Sequence, residues 1–284
     1  NLTTEMKAAS YPVISMYYKD YLVGELHGYR DKMDLTTMRD SLVPVQSDRK
    51  VSVIVDTFGS EVDQLSYEIR SLDGERLIAN RVCNDYRTSG DELQMQLVLE
   101  NLLEEGQEYQ LVFLLQRGDE TIHYYTRLMQ TGDEHLDDYL EFANEFHEAS
   151  MDKGRAQQLT TYLEPNSLVD NRDLNLVTIN ASLQEVTWAD FVCHQQGDSV
   201  LTLAELNDGY AVITLGYMVT ATGSGGELEY YNVEEYYRVS YNTEGARCYL
   251  HNFERRVNQI FRADGQNFHE NYIQLGIRDG EVEY

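Results

Sequence analysis

"LQMQLVLENLLEEGQEYQLVFLLQRGDETIHYYTRLM", residues 93–129, decides the fold. Three short, β-rich runs sit in it: LQMQLVLE (93–100), YQLVFLLQ (109–116) and TIHYYTRLM (121–129). Gly118-Asp119 between the last two is a tight-turn signal, so they read as a hairpin. Upstream, KVSVIVDT (50–57), LSYEIRSL (65–72) and RLIANRVC (76–83) repeat the pattern, with Asp73-Gly74 as another turn. YPVISMYYKDYLVGELHGY (11–29) alternates about Lys19-Asp20 and reads as a further hairpin. Residues 30–50 are polar and irregular, punctuated by Pro44. Strands at such even spacing predict a sandwich.

Downstream the period changes. Across 131–164, Leu136, Tyr139, Leu140, Ala143, Phe146 and Ser150 fall on one side of a helix. Asp137, Asp138, Glu141, Glu145 and Glu148 line the other. Thr131 or Asp133 is the expected cap, Gly154 the expected break and Pro165 the expected end. From about 174 the β pattern resumes: LNLVTINASLQEVTWADFV, SVLTLAELNDGYAVITLGYMVTA, ARCYLHNF, NQIFRAD and NYIQLGI are candidate strands. The expectation is a mainly β chain of three parts. A β-sandwich with an extra N-terminal hairpin spans 1–130, a helical connector 131–165, and a second β-rich domain 166–284.

Composition narrows function. Apolar residues make up 42% of 284, enough for real cores, so global disorder is not expected. Acidic residues outnumber basic ones 49 to 22, a net charge of −27 that repels phosphate backbones and anionic lipid. No nucleic-acid partner is expected, and a cationic one is favoured. No run of eighteen apolar residues occurs, so no direct membrane insertion is expected within this segment. No signal peptide is visible. The chain opens on Asn1 without a methionine, which reads as a trimmed piece or a processed mature chain and leaves open a signal or membrane anchor upstream; the pattern breaks off at RDGEVEY, which leaves open a further domain downstream.

Residues 93–129 resemble the end of a fibronectin type III or related immunoglobulin-like domain. Leu102 or Leu103, Gly106 and Tyr109 match the leucine, turn glycine and tyrosine that open the penultimate strand of that family. The resemblance implies that Tyr109 packs its ring on the core and bonds its hydroxyl to backbone just upstream. LSYEIRSLDGERL likewise resembles the middle hairpin of such domains, and the likeness extends over about 44–130. This region lacks the tryptophan that the family usually buries.

The second half carries its own signature, GELEYYNVEEYYRVSY (226–241), with five tyrosines and four glutamates. At period two, Tyr231, Val233, Tyr237, Val239 and Tyr241 form a core-facing row broken only by Glu235. Tyr230 and Tyr236 fall on the opposite face beside Glu234 and Arg238. They and Trp188 are the candidate ligand-binding residues, since exposed aromatics stack on sugars or anchor a partner. A bulge near Asn232 would overturn this assignment of faces.

Other motifs read as ordinary structure. Arg117-Gly118-Asp119 is the integrin tripeptide, but glycine and aspartate are also what a tight hairpin requires. Cys83, Cys193 and Cys248 form no disulfide framework and read as buried thiols, with a Cys193–Cys248 bridge as the alternative. The seven histidines show no HExxH and no i,i+4 pair, and Asp170, Asp173 and Asn175 read as a polar loop rather than a calcium site. No metal and no cofactor is expected, and no nucleotide-binding or nucleophile-elbow motif is present. The expectation is a non-catalytic extracytoplasmic binding or scaffold segment of a bacterial envelope or cell-surface protein, with a protein or glycan partner. The alternatives are a carbohydrate-binding accessory module and a hydrolase with a carboxylate pair in an interdomain cleft.

Overall fold

The computed structural model describes residues 11–35, 37–99, 103–132, 135–166, 174–223 and 226–260. The chain is mainly β and divides near residue 133 into two compact units, Thr202–Ala204 grouping with the first. The candidate strand NYIQLGI, the tail RDGEVEY and the loop acids Asp170 and Asp173 lie outside the described residues.

The first unit holds two five-stranded sheets. One runs, in order, β2 (Tyr21–Leu26), β1 (Val13–Tyr18), β4 (Lys50–Asp56), β8 (Glu92–Val98) and β7 (Arg87–Ser89). The other runs β3 (Leu42–Val45), β10 (Glu120–Gln130), β9 (Glu108–Arg117), β5 (Gln64–Ser71) and β6 (Leu77–Val82). Both contribute to one hydrophobic cluster, in which Met16, Val53 and Met95 join Tyr67, Phe113 and Tyr124. Strict alternation in β4, where Val51, Val53 and Val55 are buried and their neighbours are not, is what lets the cluster form.

Tyr109 stands at the foot of β9, fully buried. Its hydroxyl accepts from the Glu104 amide at 2.9 Å, a bond to backbone just upstream of the kind expected for it. Two features depart from the reading of the sequence. Residues 42–45, expected to be irregular, form β3, parallel to β10 with Pro44 opposite Met129. Pro44 is tolerated because β3 is an edge strand. The N-terminal hairpin is not an appendage either, since β1 pairs with β4 over Val13–Tyr17.

The second unit packs helices on one antiparallel sheet. Its strands, in order, are β11 (Leu176–Thr178), β15 (Arg247–Ile260), β14 (Leu228–Asn242), β13 (Tyr210–Thr222) and β12 (Cys193–Asn207). Helix α1 (Leu136–Met151) buries the predicted stripe of Leu136, Tyr139, Leu140, Ala143, Phe146 and Ser150. Phe146 meets Tyr237 and Phe253 of the sheet at ring distances of 5.5 and 4.9 Å. The start of α1 differs from expectation: His135 is the N-cap, and Thr131 instead donates its amide to Val45. A 3-10 turn at Ala156–Tyr162 follows Gly154.

The segment ASLQEVTW, expected to be strand, is instead the short helix α2 (Leu183–Val186). Its capping box was readable in the sequence: the Ser182 hydroxyl accepts from the Glu185 amide, and the Glu185 carboxylate accepts from the Ser182 amide.

Candidate functional site

The strongest concentration of chemistry lies in the second unit, between α1 and the sheet. Glu235 on β14 is 0% exposed, although it occupies a row that is otherwise apolar. Four side chains compensate it. The His147 Nδ1 on α1 lies 3.1 Å from one carboxylate oxygen, to which the Tyr237 hydroxyl donates at 2.5 Å. The Tyr217 hydroxyl on β13 donates to the other oxygen at 2.8 Å. Arg255 lies directly opposite Glu235 across the β14–β15 ladder and is itself fully buried.

These groups set one another's charge. Burial alone would raise the Glu235 carboxyl, but the His147 charge and hydrogen bond, with Arg255 and Tyr237, hold it below the usual carboxylate range. Burial likewise pulls His147 down, and Glu235 more than offsets that, leaving it above the usual histidine value. Burial and then the Glu235 charge push the Tyr217 and Tyr237 phenols well up, so both remain neutral donors.

Arg255 also joins the sheet to α2. It donates to the Val186 carbonyl at 2.6 Å and the Glu185 carbonyl at 2.8 Å, so a cation closes the C-terminal end of that helix. Its guanidinium lies 3.8 Å from the centre of the Trp188 ring, and its Nε has no hydrogen-bond partner among the described residues.

Trp188 is therefore not a surface platform. It is 3% exposed, covered by Arg255, with its indole N–H directed at the Met151 sulfur at 3.1 Å. Trp188 and Ala189 both take positive φ in the turn that leaves α2. Tyr231 and Tyr237 are buried as expected, while Tyr241 is partly exposed and stacks on His135 at 3.8 Å. Tyr230 and Tyr236 are partly buried on the face turned away from α1. The bulge falls not near Asn232 but opposite Arg238–Val239, where β15 carries the additional residue, so the alternation of β14 survives. Around Tyr236 that outer face carries Glu234, Arg238, Glu254 and Arg256, and the Arg238 guanidinium covers the Tyr210 ring at 4.5 Å.

The remaining candidates are accounted for in place. In the hairpin tripeptide, Arg117 is folded back onto Glu120 at 2.8 Å and the Gly118 amide donates to Asp63 at 2.6 Å. All three cysteines are free thiols, and burial pushes Cys83 and Cys193 up to about 11 and Cys248 to about 12. Among the described residues no helix is long and apolar enough to cross a membrane. No family model matches the chain, and no curated protein matches it.

Proposed function

We propose that the chain is a non-catalytic binding or scaffold segment of an extracytoplasmic envelope protein. In this reading the first unit is an Ig-like sandwich related to fibronectin type III domains, and the second presents a rigid sheet face to a partner. Strand order supports the first part. The run β1-β4-β8-β7 parallels the A-B-E-D sheet of such sandwiches, β5-β9-β10 parallels C-F-G, and Tyr109 supplies the corner. The acid-rich chain with five lysines supports a location outside the cytoplasm and a cationic or glycan partner.

One observation carries the functional part: the second unit's central carboxylate is wholly consumed by its own protein. Both Glu235 oxygens accept from side chains at 2.5 to 3.1 Å, and none of the residue is exposed. A reacting carboxylate must reach its substrate, whereas this one ties a helix to a sheet and stiffens the face behind it. That face carries Tyr230 and Tyr236, six residues and so about 20 Å apart along the strand, a spacing that suits an extended partner rather than a single sugar ring.

The test compares the parent with Tyr230→Ala/Tyr236→Ala on a glycan array and a panel of Lys/Arg-rich peptides. Binding by the parent that the double variant loses, with Trp188 emission unchanged, is the expected result. Equal binding by both, or none by the parent, overturns the assignment.

A further inference from the structure

The buried cluster contains a group whose charge is dictated by its neighbours' geometry. The Gln195 amide nitrogen on β12 donates to the Gly197 carbonyl at 3.2 Å, which fixes the direction of the amide. Its oxygen therefore faces the His147 Nε2, at 3.0 Å. A carbonyl oxygen only accepts, so in this orientation of the amide Nε2 is the donor. At the other side of the ring, Nδ1 faces a Glu235 oxygen that already accepts from Tyr237. With Glu235 ionised, as its lowered carboxyl favours, Nδ1 is the donor in that contact as well, and the ring in this arrangement is doubly protonated.

The surroundings make that charge consequential. The His147 and Glu235 side chains are 4% and 0% exposed. Every element packed on the pair contributes: Glu235 and Tyr237 from β14, Tyr217 from β13, Arg255 from β15, Gln195 and Cys193 from β12, and Glu148 from α1 itself. Gln195 is only partly buried, so it connects the ring to solvent. Loss of the second proton sets a bare Nε2 lone pair against the Gln195 oxygen. The amide must then either break that contact or turn over, which places its oxygen against the Gly197 carbonyl. Glu235 loses its nearest positive partner in the same step.

We propose that His147, Glu235 and Gln195 form a proton-operated latch: α1 is fastened to the sheet of the second unit while His147 carries both protons and is loosened when it loses one. Histidine is the side chain suited to this, because modest environmental changes move its charge across neutral pH. The latch requires no ligand and is independent of what the outer face binds.

The test uses the full chain. Nitrogen-15 NMR of the imidazoles reads the protonation of His147, and hydrogen exchange reads the protection of amides 136–151 against those of β9. At pH 7 both His147 nitrogens should be protonated, and the ring should titrate above the usual histidine value. Protection of α1 should fall about tenfold or more across that titration while β9 stays level. Glu235→Gln should lower the midpoint by about one pH unit or more. Should that variant not fold, Gln195→Leu, at a partly exposed position, should shift the midpoint in the same direction. A neutral His147 at pH 7, or α1 protection that passes unchanged through the His147 midpoint, overturns the proposal.

Discussion

The two units solve the same packing problem with different chemistry. In the first, two sheets close on aliphatic and aromatic side chains, and the corner tyrosine supplies a hydroxyl that returns at once to backbone. In the second, the corresponding centre is a carboxylate, an imidazole ring and a guanidinium, none more than 4% exposed. An apolar core tolerates approximate pairing, because any close-packed neighbour serves. A buried charge tolerates only its own partners, so it selects one register and one helix position at some cost in stability. The first unit is therefore specified by pattern, the second by particular contacts.

The largest expected effect separates them directly. Glu235→Ala leaves His147 and Arg255 buried together without their counter-charge and should cost about 3–5 kcal/mol. Urea unfolding followed through Trp188, the one tryptophan, reads this in the second unit alone. Leu111→Ala in the first unit's cluster should cost about 2–5 kcal/mol, read by hydrogen exchange of β9 amides. Its cost should not change between pH 5 and 8, unlike that of Glu235→Ala, and a shared pH dependence would remove the contrast. Tyr109→Phe removes the bond from the Glu104 amide at 2.9 Å and a long one to the Gln107 side chain at 3.4 Å, and should cost about 0.5–1.5 kcal/mol by the same exchange measurement. Tyr236→Ala, on the polar outer face, should alter the second unit's stability by less than about 0.5 kcal/mol. A larger loss would mean that this face is packed rather than presented.

Much of the first unit could be read from the sequence, since β4, β5 and β8 alternate, β9 and β10 are nearly continuous buried runs, and all five lie within a residue or two of their predicted runs. β3 could not, because Pro44 argues against a strand unless the strand is known to lie at an edge. The burial of Tyr231 and Tyr237 could be read for the same reason. The charge cluster was present as three anomalies, each a charged or titratable residue in an apolar row. Glu235 interrupts Val233 and Tyr237, Arg255 interrupts Phe253 and Val257, and His147 sits beside Phe146 on the buried stripe of α1. Each is the signature of a paired buried charge. Sequence could not join them, because the Glu235–Arg255 register depends on where β15 bulges and His147 depends on where α1 lands. Trp188 was misplaced because its position rests on the unrecognised capping box of α2 and the left-handed turn after it.

The most direct measurement of the charged core is the stability difference between the parent and His147→Gln as a function of pH, followed by Trp188 emission. His147 binds its proton more tightly when folded, so its contribution is complete below about pH 6.5 and is lost as pH rises through its raised folded value. Glu235 has the opposite sign: its contribution is complete above about pH 4.3 and is lost as pH falls through its lowered folded value. The difference should therefore be greatest between about pH 4.5 and 6.5 and shrink on the alkaline side, because the neutral ring no longer answers the Glu235 charge. A difference that is flat from pH 5 to 9, or that grows with pH, would contradict a charged core holding α1 to its sheet.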